Sequence, residues 1–211
     1  MVNALPILYS FRRCPYAMRA RMAIKVSGAS VRLREVLLRD KPEEMIAASP
    51  KGTVPVLIVG EDVIDESLAV MDWALKQNDP EGWLGGDSAE LIAACDGDFK
   101  HHLDRYKYAT RYEDADPETH RAEGAKFLAA LAAQLRRRPF LSGDKRTRAD
   151  IAIFPFVRQF RIADEAWFDE NAPETVRVWL KGLMASNLFA SVMKKYSQWK
   201  ETGEEVVFGD A

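Results

Sequence analysis

The chain predicts an α/β domain of order β-α-β followed by β-β-α, and then an all-helical domain. Three observations carry that reading. Short apolar runs with strand-like alternation fall within the first eighty residues. Beyond them the apolar residues recur at helical spacing. Between the two regions, Asn78-Asp79-Pro80-Glu81-Gly82 and Gly85-Gly86-Asp87 form a turn-rich stretch suited to a linker. The expected domains are therefore residues 1–79 and 88–211.

The elements follow in order. Ile7-Leu8-Tyr9, after Pro6, reads as a strand, and residues 19–26 read as a helix. Pro15 suits the first helical position, where its missing N–H costs least. Residues 31–36 alternate as a half-buried strand does, and an irregular or short helical link leads to the β-branched run at 54–59. Gly60-Glu61-Asp62 turns into Val63-Ile64, and residues 66–77 place Leu68, Met71 and Leu75 on one helical stripe. Residues 89–112, 118–138, 148–160, 175–185 and 188–199 carry helical spacing. Thr147 and Asp150 have capping-box spacing, marking the start of a buried structural helix, and Pro155 predicts either a kink within it or a shifted start. Val206-Val207-Phe208, in the acidic tail, is expected to pack back onto the helical domain.

Composition narrows the function. With 211 residues and a formal charge of −2, the chain offers no overall basic field to recruit nucleic acid or an anionic membrane. No apolar run approaches spanning length, and two cysteines without a pairing pattern fit a reducing compartment, so a cytoplasmic protein is expected. The three histidines, two of them the adjacent His101 and His102, lack cysteine or carboxylate partners at ligand spacing, so no metal is expected.

Cys14 is the candidate reactive group. It falls where the first strand gives way to the first helix, and a helix N-terminus stabilises a thiolate through unpaired N–H groups and partial positive charge. Arg12, Arg13 and Arg19 push the same way, so a thiol of low pKa is predicted. A free cysteine is more often a buried small hydrophobe, and that is the reading for Cys95. Ala17 stands where a C-x-x-C motif would place its resolving thiol. A disulfide formed by Cys14 must then be resolved by a small thiol from solution.

Four segments together resemble the cytosolic glutathione transferases, and within them the cysteine-type, omega-like members. They are the run from Leu8 to Ala17 around Cys14, Lys41-Pro42-Glu43 with Ser49-Pro50-Lys51-Gly52-Thr53-Val54-Pro55-Val56-Leu57, Asp65-Glu66-Ser67, and the capping box. The resemblance runs through most of the chain and implies a thioredoxin-like N-terminal domain joined to the helical one, with glutathione as co-substrate. It also implies that Val54 pairs with the peptide-like backbone of glutathione, beside a cis Pro55. Ser67 and the helix N-terminus would take the γ-glutamyl carboxylate, Glu66 the ammonium, and Lys41 the glycine carboxylate. A co-substrate pocket between the domains would be lined by Phe11 and by part of the Tyr106, Tyr108 and Tyr112 cluster, with Trp167 a further candidate. Tyr106 and Tyr108 cannot share a helix face, being about 200° apart. Relatives of this kind are commonly homodimers.

Three functions follow from the resemblance. The first is a glutathione-dependent thiol transferase or reductase working through a mixed disulfide on Cys14. The second is a conjugating or dehalogenating transferase that uses Tyr9 or Ser10. The third is a binding or regulatory protein that keeps the fold without turnover.

Overall fold

The computed structural model describes residues 4–85 and 89–209. Gly86 and Asp87 of the expected linker, and Ser88 at the expected start of the helical domain, lie outside them. The chain forms two compact units. One holds the residues up to Glu81 and again those from Asn187; the other is Gly82–Ser186.

The first unit is built on a mixed sheet. Strand β1 (Ile7–Ser10) leads into helix α1 (Pro15–Ser27), which returns to β2 (Val31–Glu35), parallel to β1. A one-and-a-half-turn helix, α2 (Glu43–Ala48), fills the expected link. Strand β3 (Val56–Val59) runs antiparallel to β1 and turns into β4 (Asp62–Ile64), and α3 (Ser67–Gln77) follows. The sheet order is β4-β3-β1-β2-β5. Period-two alternation sets the burial of β2: Val31, Leu33 and Glu35 face inward, while Arg32 and Arg34 are only partly covered. On one side Tyr9, Ala17, Val36, Met45, Val54 and Val56 form a core cluster, with Phe11, Cys14 and Trp199 packed against it.

The fifth strand corrects the expectation for the tail. β5 (Val206–Phe208) does not join the helices; it pairs antiparallel with β2, placing Phe208 opposite Val31 and Val206 opposite Leu33. Phe208 is buried, and the Lys25 ammonium lies 5.0 Å from its ring centroid. The expected helix at 188–199 divides into α10 (Asn187–Val192) and α11 (Trp199–Thr202), and α10 packs on α1. The boundary expected at 88–211 thus gives way to one at Ser186, because the tail completes the sheet edge that β2 would otherwise expose.

The second unit is helical. The expected 89–112 helix is broken into α4 (Ala89–Ala94), a π-helical turn at Cys95–Phe99, α5 (Lys100–Lys107) and a 3₁₀ turn at Ala109–Arg111. Helix α6 (Pro117–Leu135) starts on Asp116, whose carboxylate accepts from the N–H groups of Glu118 and Thr119. Helix α7 (Arg148–Ala163) continues through Pro155 and carries the capping box. Residues 161–174, left unassigned by the sequence pattern, hold a separate helix, α8 (Glu165–Asn171), begun by Asp164 accepting from the Trp167 N–H at 2.9 Å. Helix α9 (Glu174–Met184) completes the unit. Among the described residues, no helix is long and apolar enough to cross a membrane.

Candidate functional site

Cys14 is the N-cap residue of α1, with Pro15 at the first helical position. Its N–H donates to the Phe11 carbonyl at 3.0 Å, and its own carbonyl accepts the first helical bond, from Met18, at 2.8 Å. Its side chain offers the helix no cap hydrogen bond. The thiol instead donates to the Val54 carbonyl at 3.7 Å, across forty residues of chain. Cys14 is partly exposed and Cys95 is fully buried. The Val54–Pro55 peptide bond is cis.

The loop before Cys14 is held by two buried charges that the sequence reading missed. Arg21, 1% exposed, donates from Nη1 to the Ser10 hydroxyl and the Phe11 carbonyl, and from Nη2 to the Arg12 carbonyl at 2.7 Å. Glu35 accepts from the Arg12 N–H at 2.7 Å. Burial pushes the Glu35 carboxyl up, against the pull of the Arg12 N–H and the charges of Arg21 and Arg12. Burial lowers Arg21 to about 10, while the charges of Glu35 and a Cys14 thiolate raise it. That attraction is mutual, so Arg21 stabilises a thiolate at Cys14.

The arginines chosen from sequence act differently. Arg12 enters through its backbone, the Arg13 guanidinium lies 5.5 Å from the Phe11 ring centroid, and Arg19 is buried, donating from Nε to Ser67 Oγ at 3.0 Å. A signal for the missed pair existed. Glu35 keeps the inward parity of β2, and Arg21 shares a helical stripe with Met18 and Ile24.

Of the expected glutathione contacts, Glu66 and Ser67 stand at the start of α3. Glu66 is its N-cap residue, with a carboxylate 71% exposed and 2.7 Å from Lys51 Nζ, while Ser67 opens the helix and is buried. Asp65 accepts from Ser49 Oγ at 2.8 Å and Lys51 Nζ at 3.1 Å, which ties the 49–52 loop to α3. The Ser49 and Lys51 bonds hold the Asp65 carboxyl below its ordinary value. Lys41 lies beside Gly52, whose φ of +60° favours glycine; a Cβ there would sit 3.5 Å from Lys41 Nζ. Lys51 is thus a second cation at this rim, unassigned from sequence.

The remaining candidates have other surroundings. Tyr9 is buried; burial raises its phenol pKa, and its hydroxyl accepts from Arg34 Nη1 at 2.6 Å. Ser10 is buried against Arg21. Tyr106 and Trp167 belong to the second unit, where both rings pack on Phe160, at 4.9 and 6.1 Å between centroids. The Arg121 guanidinium lies 5.0 Å from the Trp167 ring centroid.

A mixed sheet with a cysteine at the first helix N-terminus, opposite a cis-prolyl loop, defines a thioredoxin-like domain. Residues 8–83 match the family described as Glutathione S-transferase, N-terminal domain, and residues 59–182 match Glutathione S-transferase, C-terminal domain. The chain belongs to the glutathione S-transferase family. It is 26% identical to glutathione S-transferase omega-1 of Rattus norvegicus over 182 residues, 82% of this chain and 74% of the relative. To glutathione S-transferase DHAR2 of Arabidopsis thaliana it is 24% identical, over 86% and 84% of the two chains. The solved structure of glutathione transferase Omega 3C from Trametes versicolor superposes with a TM-score of 0.78 at 19% identity, covering 94% of this chain and 93% of that one.

Proposed function

We propose that this transferase-family enzyme is a glutathione-dependent thiol transferase that works through Cys14. The observation that carries the reading is the position of Cys14: capping α1, with its sulfur 3.7 Å from the Val54 carbonyl and the buried Arg21 beneath its loop. The Cys14 thiolate attacks the glutathionyl sulfur of a mixed disulfide. The substrate's sulfur leaves as a thiolate and takes a proton from solvent, while Cys14 is left bonded to glutathione. A second glutathione, as thiolate, attacks that disulfide, releasing oxidised glutathione and restoring Cys14. Lys41, Val54 with Pro55, Glu66 and Ser67 hold the tripeptide, with Lys51 added to the cations facing its carboxylates.

The interior positions of Tyr9 and Ser10 support cysteine chemistry over conjugation, since each hydroxyl is engaged by a buried or half-buried arginine. Phe11 is the residue of the first unit proposed to meet the second substrate, in a cytoplasmic homodimer. The test is glutathione-dependent reduction of a small mixed disulfide by the wild type and Cys14→Ser. Turnover lost by at least a hundredfold in the variant is expected. Equal turnover in both would overturn the reading, as would glutathione binding without turnover in the wild type.

A further inference from the structure

All three histidines of the chain meet on the second unit, His101 and His102 from α5 and His120 from α6. One ring nitrogen from each lies within 4.8 Å of the other two. The Nδ1 atoms of His102 and His120 stand 2.8 Å apart, close enough to share a proton, and the His101 ring centroid is 5.0 Å from that of His102 and 5.9 Å from that of His120. His101 is exposed and the other two are half-buried, so an ion from solvent has access. Spacing along the chain hides the cluster, because its third member arrives from a different helix eighteen residues on.

We propose that His101, His102 and His120 bind one divalent transition-metal ion of the class that prefers imidazole, such as zinc, copper(II) or nickel, with water completing the shell. Three imidazoles and an open position make a recognised donor set for such ions. A zinc–nitrogen bond of about 2.0–2.1 Å puts tetrahedral neighbours about 3.3 Å apart, so the His102–His120 pair opens by about half an ångström and His101 closes in. When the pair carries an extra proton, the ion displaces it to solvent. When both rings are neutral, the bridging proton moves to Nε2 of its own ring and the metal takes both Nδ1 atoms.

The surrounding charges set the conditions. Burial, Arg105 and His102 hold His101 below the ordinary histidine value against Asp98 and Asp104. Burial, the other two histidines and Arg105 do the same for His120 against Asp116. Glu123, paired with Lys126, also faces His102 and His120. A metal takes a ring nitrogen that carries no proton, so ion and proton compete for the cluster. Arg105 opposes the ion: its Nη1 lies 3.0 Å from His101 Nδ1, and binding through His101 Nε2 puts a proton on Nδ1 that Arg105 must vacate. The Tyr112 ring, 4.4 Å from its guanidinium, gives it an alternative.

The test is calorimetric titration of the chelator-treated full chain with zinc at pH 7.4 and pH 5. One equivalent is expected to bind at pH 7.4, at least tenfold more weakly at pH 5. His101→Gln, His102→Gln and His120→Gln should each weaken binding at least tenfold, Arg105→Ala should tighten it, and Cys14→Ser should leave it unchanged. His101 is exposed, so its variant keeps the fold; copper(II) on the wild type should show nitrogen hyperfine structure by electron paramagnetic resonance. Absence of saturable binding, wild-type affinity in the three histidine variants, or loss of binding in Cys14→Ser would each overturn the assignment.

Discussion

Arg21 carries a full charge where almost no solvent reaches, and its hydrogen bonds go to the loop that presents Cys14. Fixing the Phe11 and Arg12 carbonyls fixes where the loop ends and the helix begins, so Arg21 is a positioning residue. Replacing it by Met takes one of the two arginine charges away from the buried Glu35 and strands the Phe11 and Arg12 carbonyls, and should cost about 3–5 kcal/mol of stability in urea unfolding. The same change removes a cation that favours the thiolate, so the pH profile of Cys14 alkylation should shift upward; Cys95 is buried and does not interfere. A merely structural Arg21 would lower stability and leave that profile in place. Cys14 and the start of α3 were legible in the sequence because a thiol, a proline and a helix cap are local patterns. Arg21 and Glu35 were harder to read, because charged residues are presumed to face solvent until burial is known.

Helix α7 shows how much one element draws from elsewhere in its unit. The Thr147–Asp150 spacing announces its start, and the capping box forms, with Asp150 Oδ2 accepting from the Thr147 N–H at 2.9 Å. What no local pattern reveals is the other oxygen. Asp150 Oδ1 accepts from the Leu141 N–H at 2.9 Å and from Trp179 Nε1 at 2.8 Å, joining the preceding loop and α9 to this helix start. Asp150→Ala therefore loses more than a cap. Cap loss accounts for about 1 kcal/mol, and two stranded buried donors add about 1–3 kcal/mol each, so thermal unfolding should show a deficit of about 3 kcal/mol or more. A deficit near that of an isolated cap would mean that Leu141 and Trp179 find other acceptors. Periodicity missed α8, which follows α7 after the single residue Asp164, and it ran the first helix of this unit through the π-helical turn at Cys95–Phe99, which keeps helical spacing.

At the scale of the whole molecule, the chain leaves its first unit at Glu81 and returns to it at Asn187, and Val206–Phe208 then join the sheet. A three-residue edge strand in an acidic tail has no periodicity to read, and its partner, β2, lies more than 170 residues away. The contact is electrostatic as well as apolar. Glu205 meets Arg32 at 3.1 Å and Arg34 at 2.5 Å, and Arg34 in turn lies 4.0 Å from the Trp199 ring centroid and bonds the Tyr9 hydroxyl. Burial pushes the Glu205 carboxyl up, but Arg34 and Arg32 outweigh it and hold the group below its ordinary value. A carboxyl depressed in the folded state contributes stability above its unfolded pKa of about 4.3 and loses it as pH falls through the folded value. Wild type and Glu205→Gln should therefore differ in urea midpoint at pH 7, by the same amount at pH 6, and converge below pH 4. The difference at neutral pH should shrink in high salt, since Arg32 and Glu205 are both partly exposed. Phe208→Ala removes the apolar half of the contact and should cost about 3–5 kcal/mol at every pH, which separates the two contributions. If Glu205→Gln matches the wild type at pH 7, the strand is held by Phe208 and its backbone pairing alone, and the tail's acidity has no part in closing the sheet.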